Sequence, residues 1–340
     1  MLQVLLNLQC TPDLSNTFQY YYEILLMTSS LRPIDSVEIS VLIDNYTDLL
    51  LTEQTSTVSR PILPYGEALL AEHGLSFFIT LTSGPKKHHI LMDAGVTEIA
   101  LFHNAKRIGV NLSDIEEICI SHGHYDHIGS LIPLLRSLRC RIPVNIHPGA
   151  FVKRRKKLPS GSYVDLHSLN RDEIMHAGGI ICLSKEPAFI ANKMALLTGE
   201  IEKTTTFEQG SPVLEAEEHG QWIKDPFHDD QSLILNLNGK GLIVISGCAH
   251  AGIINSVRYA QKITGITKIH AVIGGFHLSG SHFKQIIPHT IAEMQKINPD
   301  LIIPLHCTGW TATNQLAEAM PGIVIINTVG TQYHLSKESK

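Results

Sequence analysis

Ser121–Ser130, SHGHYDHIGS, sets three histidines and an aspartate within the six positions from His122 to His127. Even in a chain with 19 histidines among 340 residues, an HxHxDH pattern arises from composition alone on the order of once in a few hundred such sequences. Imidazoles and carboxylates packed this closely suit a divalent-metal site. On an extended segment the side chains of His122 and His124 project to the same side, so both can face one ion. Asp126 and His127 stand where the chain turns into a helix at Ile128 and can face a second ion nearby. Gly123 and Gly129 leave the backbone free to take that tight path.

Around this stretch, strand and helix patterns alternate. Residues 75–96, LSFFITLTSGPKKHHILMDAGV, read as two β runs about a Ser83-Gly84-Pro85 turn. Residues 97–109 have helical apolar spacing and end at Gly109. EEICI is a buried strand leading into the histidines, residues 128–138 a helix with Pro133 near its start, and RIPVNIH a further strand. Residues 149–194 are less regular and carry the basic run Lys153–Lys157, so they read as a connection between halves. Residues 232–247 form a hairpin about Asn238-Gly239. Helices then alternate with the strands IHAVIGG and LIIPLH, and GIVIINTVG (322–330) reads as the last strand. Strands followed by helices, with two hairpins among them, predict an α/β domain with mixed sheets over residues 34–340. Residues 1–33 read as an N-terminal extension, with Met27 as an alternative start.

Composition narrows the function. With 27 Lys and Arg against 32 Asp and Glu, the formal net charge is −5, which offers no global field for nucleic acid or an anionic membrane. The six cysteines, Cys10, Cys119, Cys140, Cys182, Cys248 and Cys307, have no CxxC spacing and read as free thiols of a cytoplasmic protein. No apolar run is long enough to span a bilayer. The expected partner is a small-molecule substrate, and oligomeric state, including a homo-oligomer, is left open.

Three later histidines each follow an apolar strand: His250 in SGCAHAG, His277 in IGGFHLSG and His306 in PLHCTG. Ligand sites in α/β sheets collect beyond the carboxyl ends of strands, so four histidine-bearing loops point to one edge. Each later histidine can ligate a metal or hydrogen-bond a group that does. FHDDQS, with His228, Asp229 and Asp230, reads as a polar turn before a strand, with the supply of a missing ligand as the alternative. The basic run reads as a solvated loop, with a phosphate-holding role as the alternative.

SHGHYDH resembles the signature of the metallo-β-lactamase fold, and the likeness extends from about residue 37 to the end. It implies a four-layer αββα sandwich of two mixed sheets with one or two divalent ions, zinc, iron or manganese, at the open edge. By that resemblance His122 and His124 bind one ion, Asp126 and His127 the other, and His306 completes the ligands of that second ion. Asp93 in ILMDAG supports the ligands from behind. Asp126 and His250 are expected at the reacting groups. One position departs from the pattern: where the fold commonly supplies a metal-bridging aspartate, this chain has Cys248, with His250 just beyond. Either His250 compensates as a ligand or Cys248 binds as a thiolate.

The set LIDN, EHGLSF, DAG, GCAHAGIIN, GGFHL and HCTG resembles a subgroup of this superfamily, the archaeal dihydropterin-methyl-ribofuranosylaminobenzene phosphate synthases of methanopterin assembly. These join a dihydropterin pyrophosphate to an aryl-amine ribose phosphate and expel pyrophosphate. Within that likeness Asp44, Asn45, Glu72 and His73 are expected near the metals or the substrate. Three activities follow as expectations: a pyrophosphate-releasing transferase, a metallohydrolase of a phosphoester, thioester or lactam, or a non-catalytic metal-binding protein.

Overall fold

The computed structural model describes residues 30–337. Period-two alternation explains how its layers assemble. In the strand Ser36–Ile43, Val37, Ile39 and Val41 point to one core cluster, while Leu42 belongs to another. Ser76–Ser83 behaves alike, with Phe77, Ile79 and Leu81 on the first face and Phe78 on the second. In the second half, Ile243 and Ile245 share the first cluster, whereas Leu242 and Val244 join a third. Strands apolar on both faces must be covered on both. The common cluster is therefore the layer between two sheets, and each outer cluster lies under helices.

One sheet has eight strands in the order Gly179–Leu183, Ile142–Ile146, Glu117–Cys119, Lys86–Met92, Ser76–Ser83, Ser36–Ile43, Gln332–Ser336 and Val58–Ser59. The other runs Ala188–Ile190, Ala195–Leu197, Ser232–Leu237, Gly241–Ser246, Ile269–Gly275 and Leu301–Leu305, with Pro33–Ile34 paired to Ser232–Leu237. Both mix parallel and antiparallel neighbours. Helices Glu98–Arg107 and Leu131–Ser137 supply residues to the outer cluster of the first sheet, and Ile253–Thr264, Ile287–Ile297 and Trp310–Ala319 to that of the second. The result is the αββα sandwich expected from the sequence.

Several local expectations shift. GIVIINTVG forms only an isolated bridge, Val324 to Ile302. The last strand is instead Gln332–Ser336, a short alternating run that pairs antiparallel with Ser36–Ile43 and buries Tyr333 and Leu335. The helix read over residues 128–138 is two, Tyr125–Ile128 and Leu131–Ser137. The basic run does not lie in a loop: Arg154–Lys157 is a strand of a small third sheet with Tyr163–Asp165, Leu214–Glu218 and Gln221–Lys224. Residues 149–194 contribute to all three sheets. Residues 1–29 of the extension read at the N-terminus, including Met27, lie outside the described residues.

Candidate metal centre

The histidine loop follows the strand Glu117–Cys119, and four further strand ends that carry the site turn through left-handed backbone. Asp93 follows Lys86–Met92 with φ 61°, Ala249 follows Gly241–Ser246 with φ 54°, His277 follows Ile269–Gly275 with φ 46°, and His306 follows Leu301–Leu305 with φ 47°. Such conformations cost non-glycine residues on the order of 1–3 kcal/mol each and persist where the surroundings dictate them. Gly123 and Gly129 are needed for a different reason than turning: a Cβ would meet the Ala150 carbonyl oxygen at 2.2 Å and the Val96 carbonyl oxygen at 2.1 Å, respectively. The histidine loop is thus clamped against two neighbouring segments.

His122, His124 and His250 form the first donor set. His124 Nδ1 lies 3.0 Å from His122 Nε2 and 3.0 Å from His250 Nε2. Adjacent nitrogens on a tetrahedral ion with bonds of about 2.0–2.1 Å stand about 3.3 Å apart, so the spacing fits one ion. Burial holds all three imidazoles neutral, pushing His124 down to about 3 and His122 and His250 well below the usual histidine value. His122 Nδ1 bonds the Ser121 hydroxyl at 2.9 Å, and that hydroxyl donates to Asp93 Oδ2 at 2.7 Å. With the hydroxyl proton committed to Asp93, His122 Nδ1 carries the hydrogen and Nε2 keeps its lone pair.

Asp126, His127 and His306 form the second. Asp126 Oδ2 is 3.3 Å from His306 Nε2 and 3.8 Å from His127 Nε2. Burial alone would raise the Asp126 carboxyl, but His127 and His306 outweigh it and hold the group well below the usual carboxylate range. His127 Nδ1 donates to Asp93 Oδ2 at 2.7 Å, and His306 Nδ1 donates to Asn45 Oδ1 at 2.9 Å. Each bond turns the ring's Nε2 toward the other donors. His306 Nε2 is buried and makes no hydrogen bond, an orphaned group that a metal ion would satisfy.

Cys248 stands between the sets. Its Sγ lies 3.1 Å from His127 Nε2, and it falls within 4.8 Å of the donor atoms of Asp126, His127 and His306, as well as those of His122 and His250. His277 and Cys307 crowd its other side, with donor atoms at the same limit. The donor chemistry, imidazoles, a carboxylate and a thiol, fits a divalent ion such as zinc.

The remaining expected residues divide. Asn45 and His73 are at the site: the Asn45 amide nitrogen donates to His73 Nδ1 at 3.1 Å, leaving His73 Nε2 as the protonated atom, 3.6 Å from Asp126 Oδ2. His73 is therefore a hydrogen-bond donor rather than a metal ligand. Asp44 is buried behind the site, accepting from the His306 amide at 2.8 Å and from Asn327 Nδ2 at 2.7 Å. Glu72 departs from expectation: it accepts from Val96 N at 2.7 Å, Thr97 N at 3.0 Å and Thr97 Oγ1 at 2.6 Å. Its carboxylate holds the start of Glu98–Arg107, where acidic groups are favoured.

Arg154, Asp225, Asp229 and Asp230 support the site in a way the sequence did not show. Asp229 accepts from Gly123 N at 2.8 Å and from Arg154 Nη2 at 2.5 Å, while Arg154 Nε donates to Asp225 at 2.7 Å. Asp230 accepts from Ala251 N at 2.9 Å, and burial pushes its carboxyl up to about 7. FHDDQS thus braces the loops of Gly123 and Ala251 rather than forming a plain polar turn. Its doubled aspartate before a strand was the available signal.

A cavity of about 370 Å³ opens over the donors, bounded by His73, Asp126, Cys248, His250, His277 and, from the small sheet, Lys156. Among the described residues no helix is long and apolar enough to cross a membrane.

Residues 71–254 match the model of the metallo-beta-lactamase superfamily. With that match, the sandwich and the paired donor sets, the chain belongs to this superfamily. More particularly, it is 33% identical over 266 residues to a 7,8-dihydropterin-6-methyl-4-(beta-D-ribofuranosyl)-aminobenzene-5'-phosphate synthase of Methanocaldococcus jannaschii, covering 77% of this chain and 90% of that one. An uncharacterised protein of the same organism is 29% identical over 248 residues, 73% of this chain and 88% of its own. Among solved structures, Tm1679, a metal-dependent hydrolase of the beta-lactamase superfamily, superposes with a TM-score of 0.69 at 24% identity over 88% of this chain and all of its own. The metallo-beta-lactamase fold protein YhfI of Bacillus subtilis gives 0.51 at 12% identity over the same shares. These two structures share the fold.

Proposed function

We propose that the protein is a metal-dependent enzyme acting on a phosphate- or pyrophosphate-bearing small molecule, and that it joins a dihydropterin-type pyrophosphate ester to an aryl amine with release of pyrophosphate. The observation that carries the reading is the pair of adjacent donor sets opening on one cavity whose wall includes Lys156. The 33% identity to a named synthase supports the substrate class. His122, His124 and His250 would hold one ion, and Asp126, His127 and His306 the other. Bound there, a divalent pair polarises phosphoryl oxygens and stabilises a departing pyrophosphate.

The protein's own groups orient the substrate. Lys156 offers a mobile positive charge to the phosphates, and His73 presents its Nε2 hydrogen toward the same space. Asn45 holds that tautomer while keeping His306 Nε2 free. The cavity lies at the small end of the range for small-molecule sites, about 300–1,000 Å³. Buried Cys248 and Cys307, with sulfurs within 4.8 Å of one another, remain thiols most readily in a reducing compartment, which supports a cytoplasmic enzyme.

The test is pyrophosphate release from a dihydropterin pyrophosphate by metal-loaded protein, with and without an aryl-amine acceptor. Release that requires the amine and yields the coupled product supports the transferase. Release in water alone would replace it with the hydrolase reading.

A further inference from the structure

We propose that the Cys248 thiolate is the ligand shared by both metal ions, taking the position where a bridging aspartate was expected. This rests on the two-ion reading above. The sulfur is the one donor common to the sets His122, Cys248, His250 and Asp126, His127, Cys248, His306. Apart from Asp126, the carboxylates around the centre lie outside the donor sets, although Asp230 Oδ1 is buried with no hydrogen-bond partner. Asp93 accepts from Ser121 and His127, Asp229 from Gly123 and Arg154, Asp44 from His306 and Asn327, and Asp230 from Ala251. None of these four joins a donor set.

The backbone supplies the reason why one short loop reaches both ions. Left-handed Ala249 lies between Cys248 and His250, and both side chains aim inward to the donors. On binding, each sulfur–metal bond uses a lone pair of the thiolate, and the single S–H proton passes to solvent; no oxidation occurs. The sulfur consequently serves as structure and charge for the metal pair, and it is not a nucleophile toward substrate.

The experiment is anaerobic titration of the metal-free full-length chain with Co²⁺, following thiolate-to-cobalt charge-transfer absorption in the near ultraviolet together with cobalt bound per chain. A bridge predicts that the band keeps growing or shifting through the second equivalent, is lost in Cys248→Ser and Cys248→Asp, and survives in Cys307→Ser. Cys248→Asp should still bind two ions, which separates loss of the sulfur from loss of the fold. Two bound cobalt ions with no band, or with a band complete and unchanging after the first, would overturn the bridge alone. A single bound cobalt would overturn the two-ion reading and the bridge with it.

Discussion

Asn45 and His306, 261 positions apart in the chain, share a 2.9 Å hydrogen bond from imidazole Nδ1 to amide Oδ1. The bond fixes which nitrogen of His306 is free to ligate, while the other end of the amide fixes the tautomer of His73. Removing it should therefore cost metal before it costs fold. Asn45→Ala is expected to weaken the second ion by about 10- to 100-fold, measured by chelator competition. Asn45→Asp keeps an acceptor for His306 but no donor for His73, so it should retain more metal while raising KM and altering the pH profile of turnover. Equal metal loss in both variants would refute this division.

Metal uptake should release a proton from His127. Burial disfavours its charged form, but Asp93 and Asp126 outweigh burial and raise the metal-free group to about 9. An incoming ion must displace that proton, so the His127 contribution should raise affinity by up to tenfold per pH unit until about pH 9 and then vanish, with the proton released from Cys248 adding a separate dependence. The sign for folding is opposite. Because the folded value exceeds the unfolded one, this group's stabilisation of the metal-free fold is complete below about 6.5 and is lost as pH rises through about 9. Calorimetry in buffers of different ionisation enthalpy reads the first effect, and metal-free Tm against pH the second.

Asp229→Ala should damage both fold and metal site. It leaves buried Arg154 with Asp225 as its remaining carboxylate partner and frees the Gly123 amide. Breaking a buried pair from one side costs about 3–5 kcal/mol, which urea unfolding would register. Asp229→Asn, which still accepts from Gly123, should retain more metal than the alanine variant. If both variants keep full metal content, the brace is not needed by the site.

Lys156→Ala tests the anion-binding wall. The residue is exposed and lines the cavity, so stability should change by less than about 0.5 kcal/mol. KM for the pyrophosphate substrate is expected to rise about tenfold with metal content unchanged. An unaltered KM would remove Lys156 from substrate binding.

The sequence by itself determined the sandwich and the first four donors. Strand-like apolar runs followed by helical periods imply layered α/β packing, and the resemblance carried by SHGHYDH implies the sandwich, while His122, His124, Asp126 and His127 are close because the chain is continuous there. Their chemistry is legible from spacing. Tertiary structure decided the rest, since long-range partners leave no local period. Gln332–Ser336 becomes a strand because Ser36–Ile43 offers it unpaired backbone, whereas the more apolar GIVIINTVG finds only one bridge. Arg154 leaves the solvated face expected of a basic run because Asp225 and Asp229 neutralise it. Glu72 is taken by a helix start, and Cys248 gains its place between both donor sets only when separate strand ends meet at one edge. Local pattern sets which face of each element is buried; packing of distant elements decides which polar groups become partners.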